Sequence, residues 1–232
     1  MRRFLLILTL VALAAASKAA GQTATAPYKF DFGGSVGLSG YIGEANAANP
    51  FSSAGFTADL AARYIIDTRW ALRGALTYAS LSGSTEGMAN VLPGNAVYSF
   101  SSNVFDLSVR GEVNFFSFGI GETYKRLRRI TPYLAVGVGL SMASCDGNTA
   151  IAPSLPMAFG VRYKLKERLN IYAEFSMTKI FSDKVDGNQL VDLNGIKTNF
   201  VKNTDWVSRL AVGVTYEFSK RCETCHYVDK AL

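Results

Sequence analysis

The chain of 232 residues holds a single histidine, three cysteines and six prolines. Each scarcity removes a class of function. The one histidine, His226, lies on a tail beyond the last strand-like segment, which argues against a histidine-based Ser–His or Asp–His centre. After the first twenty residues no run of eighteen apolar residues occurs, so helical membrane spans are excluded although the hydrophobic fraction is 49%. The formal charge of +6 falls to +3 once Arg2, Arg3 and Lys18 are set aside with an N-terminal leader that carries no acid. A mild excess spread among strand-like segments excludes a nucleic-acid partner.

The first residues read as such a leader. Arg2 and Arg3 precede an apolar run from Phe4 to Ala16, and small residues follow through Ala19-Ala20-Gly21. That order predicts a secretory signal peptide over 1–21, cleaved before Gln22. No cysteine follows the small residues, which argues against a lipid anchor.

What the mature chain does have is alternation. From Trp206 to Phe218 one face carries Leu210, Val212, Val214, Tyr216 and Phe218, and the other Arg209, Ala211, Gly213, Thr215 and Glu217. Similar stretches lie near 28–42, 55–66, 69–82, 103–116, 131–144, 155–165 and 168–181. Apolar side chains capped by aromatics on one face and paired charges on the other suit strands between hydrocarbon and a lumen. The pattern predicts an all-β fold, a transmembrane antiparallel up-and-down barrel of about eight strands over 22–219. Its lumen is expected to hold Asp59, Arg63, Arg73, Asp106, Arg110, Glu112, Arg162, Glu174, Arg209 and Glu217. Tyr216 and Phe218 at the end of the last strand suit the terminal signal read by barrel-assembly machinery. Short connections at Asp67-Thr68 and Lys166-Glu167, with the basic stretch Tyr124–Arg129, fall on the side of the termini, expected to be periplasmic. Longer polar loops at 43–54, 83–102, 145–154 and 182–205 fall on the other. Pro153 and Pro156 lack the donor a paired strand needs, so the sixth strand is expected to begin only after Pro156, with Cys145 in an outer loop.

Beyond the barrel, 220–232 forms a tail containing Cys222-Glu-Thr-Cys225-His226. This spacing matches covalent haem attachment, but little chain surrounds it to wrap a porphyrin. For zinc it is an incomplete set of ligands. A disulfide between Cys222 and Cys225, or a bond to a partner protein, suits an oxidising compartment. The reading adopted has no cofactor, with Cys222, Cys225 and His226 as disulfide or docking candidates.

Several motifs taken in order resemble the PorG-like family of small outer-membrane barrels associated with type IX secretion systems. They are Gly33-Gly34, Gly37 and Tyr41-Ile-Gly-Glu44; Glu112-Val-Asn-Phe-Phe116; Thr131-Pro-Tyr-Leu134 with Gly137 and Gly139; and Cys222-Glu-Thr-Cys225. His226 is not part of that pattern. The resemblance implies a non-enzymatic accessory of the secretion machine, set among outer-membrane lipids and meeting periplasmic ring or lipoprotein subunits. A generic small barrel of the OmpA or OmpX kind, structural or adhesive through its outer loops, shares the strand pattern, and so does a barrel with haem or metal on its tail.

Overall fold

The computed structural model describes residues 28–42, 54–84, 99–120, 127–145, 148–181 and 206–220. The leader and the cysteine tail lie outside them. Eight strands close on themselves in sequence order: β1 Tyr28–Ile42, β2 Gly55–Ile65, β3 Trp70–Ser84, β4 Ser99–Asn114, β5 Ile130–Cys145, β6 Asn148–Lys164, β7 Leu169–Ile180 and β8 Trp206–Lys220. Every neighbouring pair is antiparallel, and β1 joins β8 from Tyr28↔Lys220 to Ile42↔Trp206, so the sheet has no free edge. Strands of 11 to 17 residues meet or exceed the 9–11 or so that a tilted strand needs to cross a bilayer core.

The two faces are the reverse of those in a water-soluble barrel. Outside, Val138 is 67% exposed and Ile151 71%, among a continuous surface of Leu, Val, Ile and Phe. Inside, Arg110 and Arg162 are 0% and 1% exposed. A water-soluble sheet would put the aliphatic face inward, since exposed apolar area costs roughly 25 cal/mol per Å². Aromatic side chains gather toward the end that holds the termini: Phe30 packs on Tyr64 at 5.2 Å and on Phe218 at 5.7 Å, with Trp70, Phe115 and Tyr163 also outward.

The sixth strand departs from expectation. It begins at Asn148, and Cys145 pairs with Asn148, so β5 and β6 form a close hairpin where a long loop was expected. Cys145 is the last residue of β5 rather than a loop residue. Both prolines lie within the strand, at places where a donor is dispensable. The Pro153 carbonyl accepts the Phe181 N–H at 3.0 Å, just past the end of β7. Pro156 stands where the ladder to β5 skips, from Val136↔Met157 to Gly139↔Ser154, and pairs instead with Thr178 of β7. Similarly, β4 begins at Ser99 rather than near residue 103, because Ser99 to Ser102 continue the β3 hairpin up to Ser84↔Ser99 without an apolar alternation to announce it.

At the opposite end the connections are short. Ile66 and Asp67 N–H both donate to the Trp70 carbonyl, and Leu165 and Lys166 N–H to that of Leu169. The connection after β4 folds back on itself: Arg128 N–H donates to the Ser117 carbonyl and Gly119 N–H to that of Arg128, bridging Phe118 to Arg128.

Candidate functional site

The lumen is the most elaborated part of the molecule. All ten charged residues expected there are buried inside the barrel, at 5% exposure or less. Because strands alternate, these side chains are aimed inward by outward neighbours, as Asp106 is between Phe105 and Leu107; Arg209 is the exception, following the buried Ser208. Asp31 and Lys164 complete the set, and both could have been found by parity: Asp31 lies between Phe30 and Phe32, and Lys164 is two residues from Arg162. Among the described residues the lumen then holds six cations, Arg63, Arg73, Arg110, Arg162, Lys164 and Arg209, against six acids, Asp31, Asp59, Asp106, Glu112, Glu174 and Glu217.

Those charges form three linked groups. Glu112 sits at the centre of one, with Arg63 at 3.0 Å, Arg162 at 3.2 Å and Arg73 at 3.4 Å, and Arg63 also reaches Asp31 at 2.6 Å. Arg73 carries the network across to Glu174 at 2.7 Å and Asp59 at 2.9 Å, where Arg209 approaches at 3.5 Å. Nearer the termini Lys164 pairs with Glu217 at 2.7 Å, and the Asn170 amide donates to the same carboxylate at 2.9 Å. Desolvated charges are tolerated only with this density of partners. Among the described residues the fit is incomplete at several charges: Arg110 contacts Glu174 at 3.4 Å and its Nη2 has no hydrogen-bond partner, Arg162 and Arg209 each leave two guanidinium nitrogens without one, and Asp106 accepts from Ser141 and Ser154 on Oδ2 while Oδ1 has none.

Two tyrosines, unremarkable in the sequence, brace this network. Tyr133 donates to Glu174 at 2.7 Å, and Tyr172 lies 3.4 Å from Asp59. Each ring covers a cross-strand glycine: a Cβ on Gly160 would stand 2.6 Å from the Tyr133 ring, and one on Gly213 2.5 Å from that of Tyr172. Those two glycines are required by the rings that lie over them and by the backbone carbonyls of Ala173 and Gly34, 2.7 and 2.6 Å from the same Cβ positions.

Above and below the charges the lumen is stoppered. Toward the long-loop end Tyr41, Leu81, Val104, Ile180 and Val207 pack into an apolar cluster with alanines. At the other end Phe118, 6% exposed, is pinned by its N–H on the Thr68 carbonyl at 3.1 Å, with the Lys164 ammonium 5.3 Å from its ring centre. The space remaining beside Phe118 is about 10 Å³, room for one water at most.

Tyr216 and Phe218 lie outward at the end of β8, Phe218 stacked on Phe30 and the Tyr216 hydroxyl accepting from Arg168 at 3.2 Å. Cys222, Cys225 and His226 lie outside the described residues.

Among solved structures the chain is similar to Neisserial surface protein A, with 18% identity over 82% of this chain and 97% of that one at a TM-score of 0.50. It is also similar to Ail, the attachment invasion locus protein of Yersinia pestis in complex with a heparin analogue, with 10% identity over 83% and 100% at 0.48. The first likeness bears on the fold alone. No curated protein matches by sequence. Residues 3–227 match the family described as a domain of unknown function, DUF6089. This barrel, closed around a neutralised lumen, belongs to that family.

Proposed function

We propose that the protein is a non-enzymatic barrel of the bacterial outer membrane, serving as a structural component of a type IX protein secretion apparatus. The observation that carries the scaffold reading is the stoppered lumen: among the described residues six acids face six cations under an apolar cluster and over Phe118, and these fill the centre that a solute or substrate would have to cross. What such a barrel does, it does with its ends and its lipid-facing wall. Assignment to a secretion machine rests on the PorG-like motifs, from Gly33-Gly34 through Cys222-Glu-Thr-Cys225. On this reading the termini and short turns are periplasmic, and the turns and tail meet ring or lipoprotein subunits. Tyr216 and Phe218 serve the assembly machinery during insertion, and Cys222 and Cys225 form a disulfide or a covalent docking point.

The test is crosslinked pull-down from outer membranes with the full chain and with a chain ending at Ser219. The reading expects ring or lipoprotein subunits of the secretion machine with the full chain and their loss on truncation, while both forms keep the heat-dependent gel shift of a folded barrel. Capture of no secretion component by the full chain would remove the secretion role and leave the barrel.

A further inference from the structure

Among the described residues the exposed charges lie at one end. They are Lys29, Arg69, Arg128, Arg129, Lys166, Arg168 and Lys220, with Glu167 and the half-buried Asp67, and all nine lie at the end that holds the termini. The described charged side chains nearer the long loops point into the lumen, apart from Lys179, which is buried over the Trp206 ring. The cations are spread around the circumference. Lys29 and Lys220 belong to β1 and β8, Lys166 and Arg168 to the β6–β7 turn, Arg128 and Arg129 to the approach to β5, and Arg69 to the β2–β3 turn.

The two acids are already engaged. Asp67 accepts from the backbone N–H of Arg69 and Trp70 at 2.6 and 2.7 Å, closing its own turn, and Glu167 accepts the Tyr28 hydroxyl at 2.7 Å. None of the seven cations is within ion-pair distance of a described carboxylate. Two are held sideways, toward the outer wall. The Arg128 guanidinium lies 4.3 Å from the centre of the Phe116 ring, and Arg168 donates to the Tyr216 hydroxyl at 3.2 Å. Phe116 and Tyr216 face outward at the end of the apolar band, at 39% and 48% exposure. These guanidiniums therefore stand at headgroup depth beside the barrel rather than over its mouth.

From this geometry we infer that the rim is a collar for anionic phospholipid headgroups, its seven cations meeting lipid phosphates in the leaflet on the side of the termini. A collar at every azimuth, set at the edge of an apolar band and anchored to interfacial aromatics, fits a planar lipid surface. A protein docking on one side would leave most of it unused. The inference depends on the apolar wall being bathed in lipid, and is independent of the secretion role.

The test uses the full mature chain folded into phosphatidylcholine vesicles containing spin-labelled phosphatidylglycerol or phosphatidylcholine at trace level. Lipid association with the barrel is read from the motionally restricted fraction of the spectrum. The collar expects a several-fold preference for phosphatidylglycerol, given about fivefold per cation that engages an anionic surface. The preference falls to near unity when all seven cations, Lys29, Arg69, Arg128, Arg129, Lys166, Arg168 and Lys220, are changed to Gln, and in 1 M salt, and it persists when the four arginines are changed Arg→Lys with the three lysines kept. Inorganic phosphate at 10 mM leaves it unchanged. Equal association of the two lipids in a barrel that has inserted and shows its gel shift overturns the collar alone. So does a preference retained by the Gln variant, which would leave the cations for an acidic protein partner, or one abolished by free phosphate. Failure of the wild type to insert at all overturns the lipid-facing reading and the collar together.

Discussion

Glu112 and Arg110 show how unequally the buried charges contribute. Glu112 accepts from three guanidiniums, so Glu112→Leu strands Arg63, Arg73 and Arg162 without their shared partner. Removing one member of a buried ionic set costs about 3–5 kcal/mol. Arg110 makes one long contact to Glu174 and one to Ser108 Oγ at 3.2 Å, so Arg110→Met should cost clearly less. Urea unfolding from vesicles, followed by tryptophan fluorescence, gives both values, and an equal loss would mean that the network does not discriminate as its distances do. At the rim, the Tyr28 hydroxyl holds the Glu167 carboxyl below the usual range, helped by Lys220. Because the folded value is the lower one, the associated stability is present above about pH 4.3, the ordinary glutamate value, and is lost as pH falls through the folded value. In Tyr28→Phe the Glu167 titration followed by carboxyl NMR should move back up. An unmoved titration would mean that the hydrogen bond is not formed in solution.

At the scale of strands, alternation made most of the barrel readable. Leu107 outward and Asp106 inward need no tertiary information beyond period two, and the same parity, applied without exception, would have included Asp31 and Lys164. Partnership was not readable in this way. Arg73 meets Glu174 across the lumen at a separation of 101 residues, which depends on barrel closure and not on any local pattern. The sixth strand starts earlier than its two prolines suggest, because a skipped rung and a neighbour's end are invisible in sequence, while Asp146-Gly147 is a dipeptide that favours two-residue hairpins. The glycine beneath Tyr133 offers a test on the β5–β6 pair. Gly160→Ala places a methyl 2.6 Å from that ring and must push the hydroxyl off Glu174, an overpacking cost of about 1–3 kcal/mol. In a Tyr133→Ala background the same change should cost less, with the Ala173 carbonyl oxygen at 2.7 Å keeping part of the penalty, and that non-additivity is the measurement. Simple additivity would show that the ring and the glycine do not depend on each other.

For the molecule as a whole the decisive property is closure along the axis. Eight strands enclose an interior that side chains can fill, and here they fill it in three layers that differ in chemistry. The apolar cluster around Tyr41 and Leu81 excludes water, the charged middle binds its own counter-ions, and Phe118 covers the end toward the termini. A hydrated ion crossing this interior would have to part Arg73 from Glu174 and Asp59 and also pass an apolar plug, so the layers oppose conduction in series. Opening one of them is then insufficient. Reconstituted in planar bilayers, the wild-type barrel should show no sustained current steps, and Phe118→Ala should remain equally silent because the two inner layers are untouched. Steady ohmic steps in the wild type would refute the sealed interior. Steps appearing only in Phe118→Ala would place the whole barrier at one aromatic ring and make the barrel a gated pore, which a scaffold held together by six balanced acids and six cations is not expected to be.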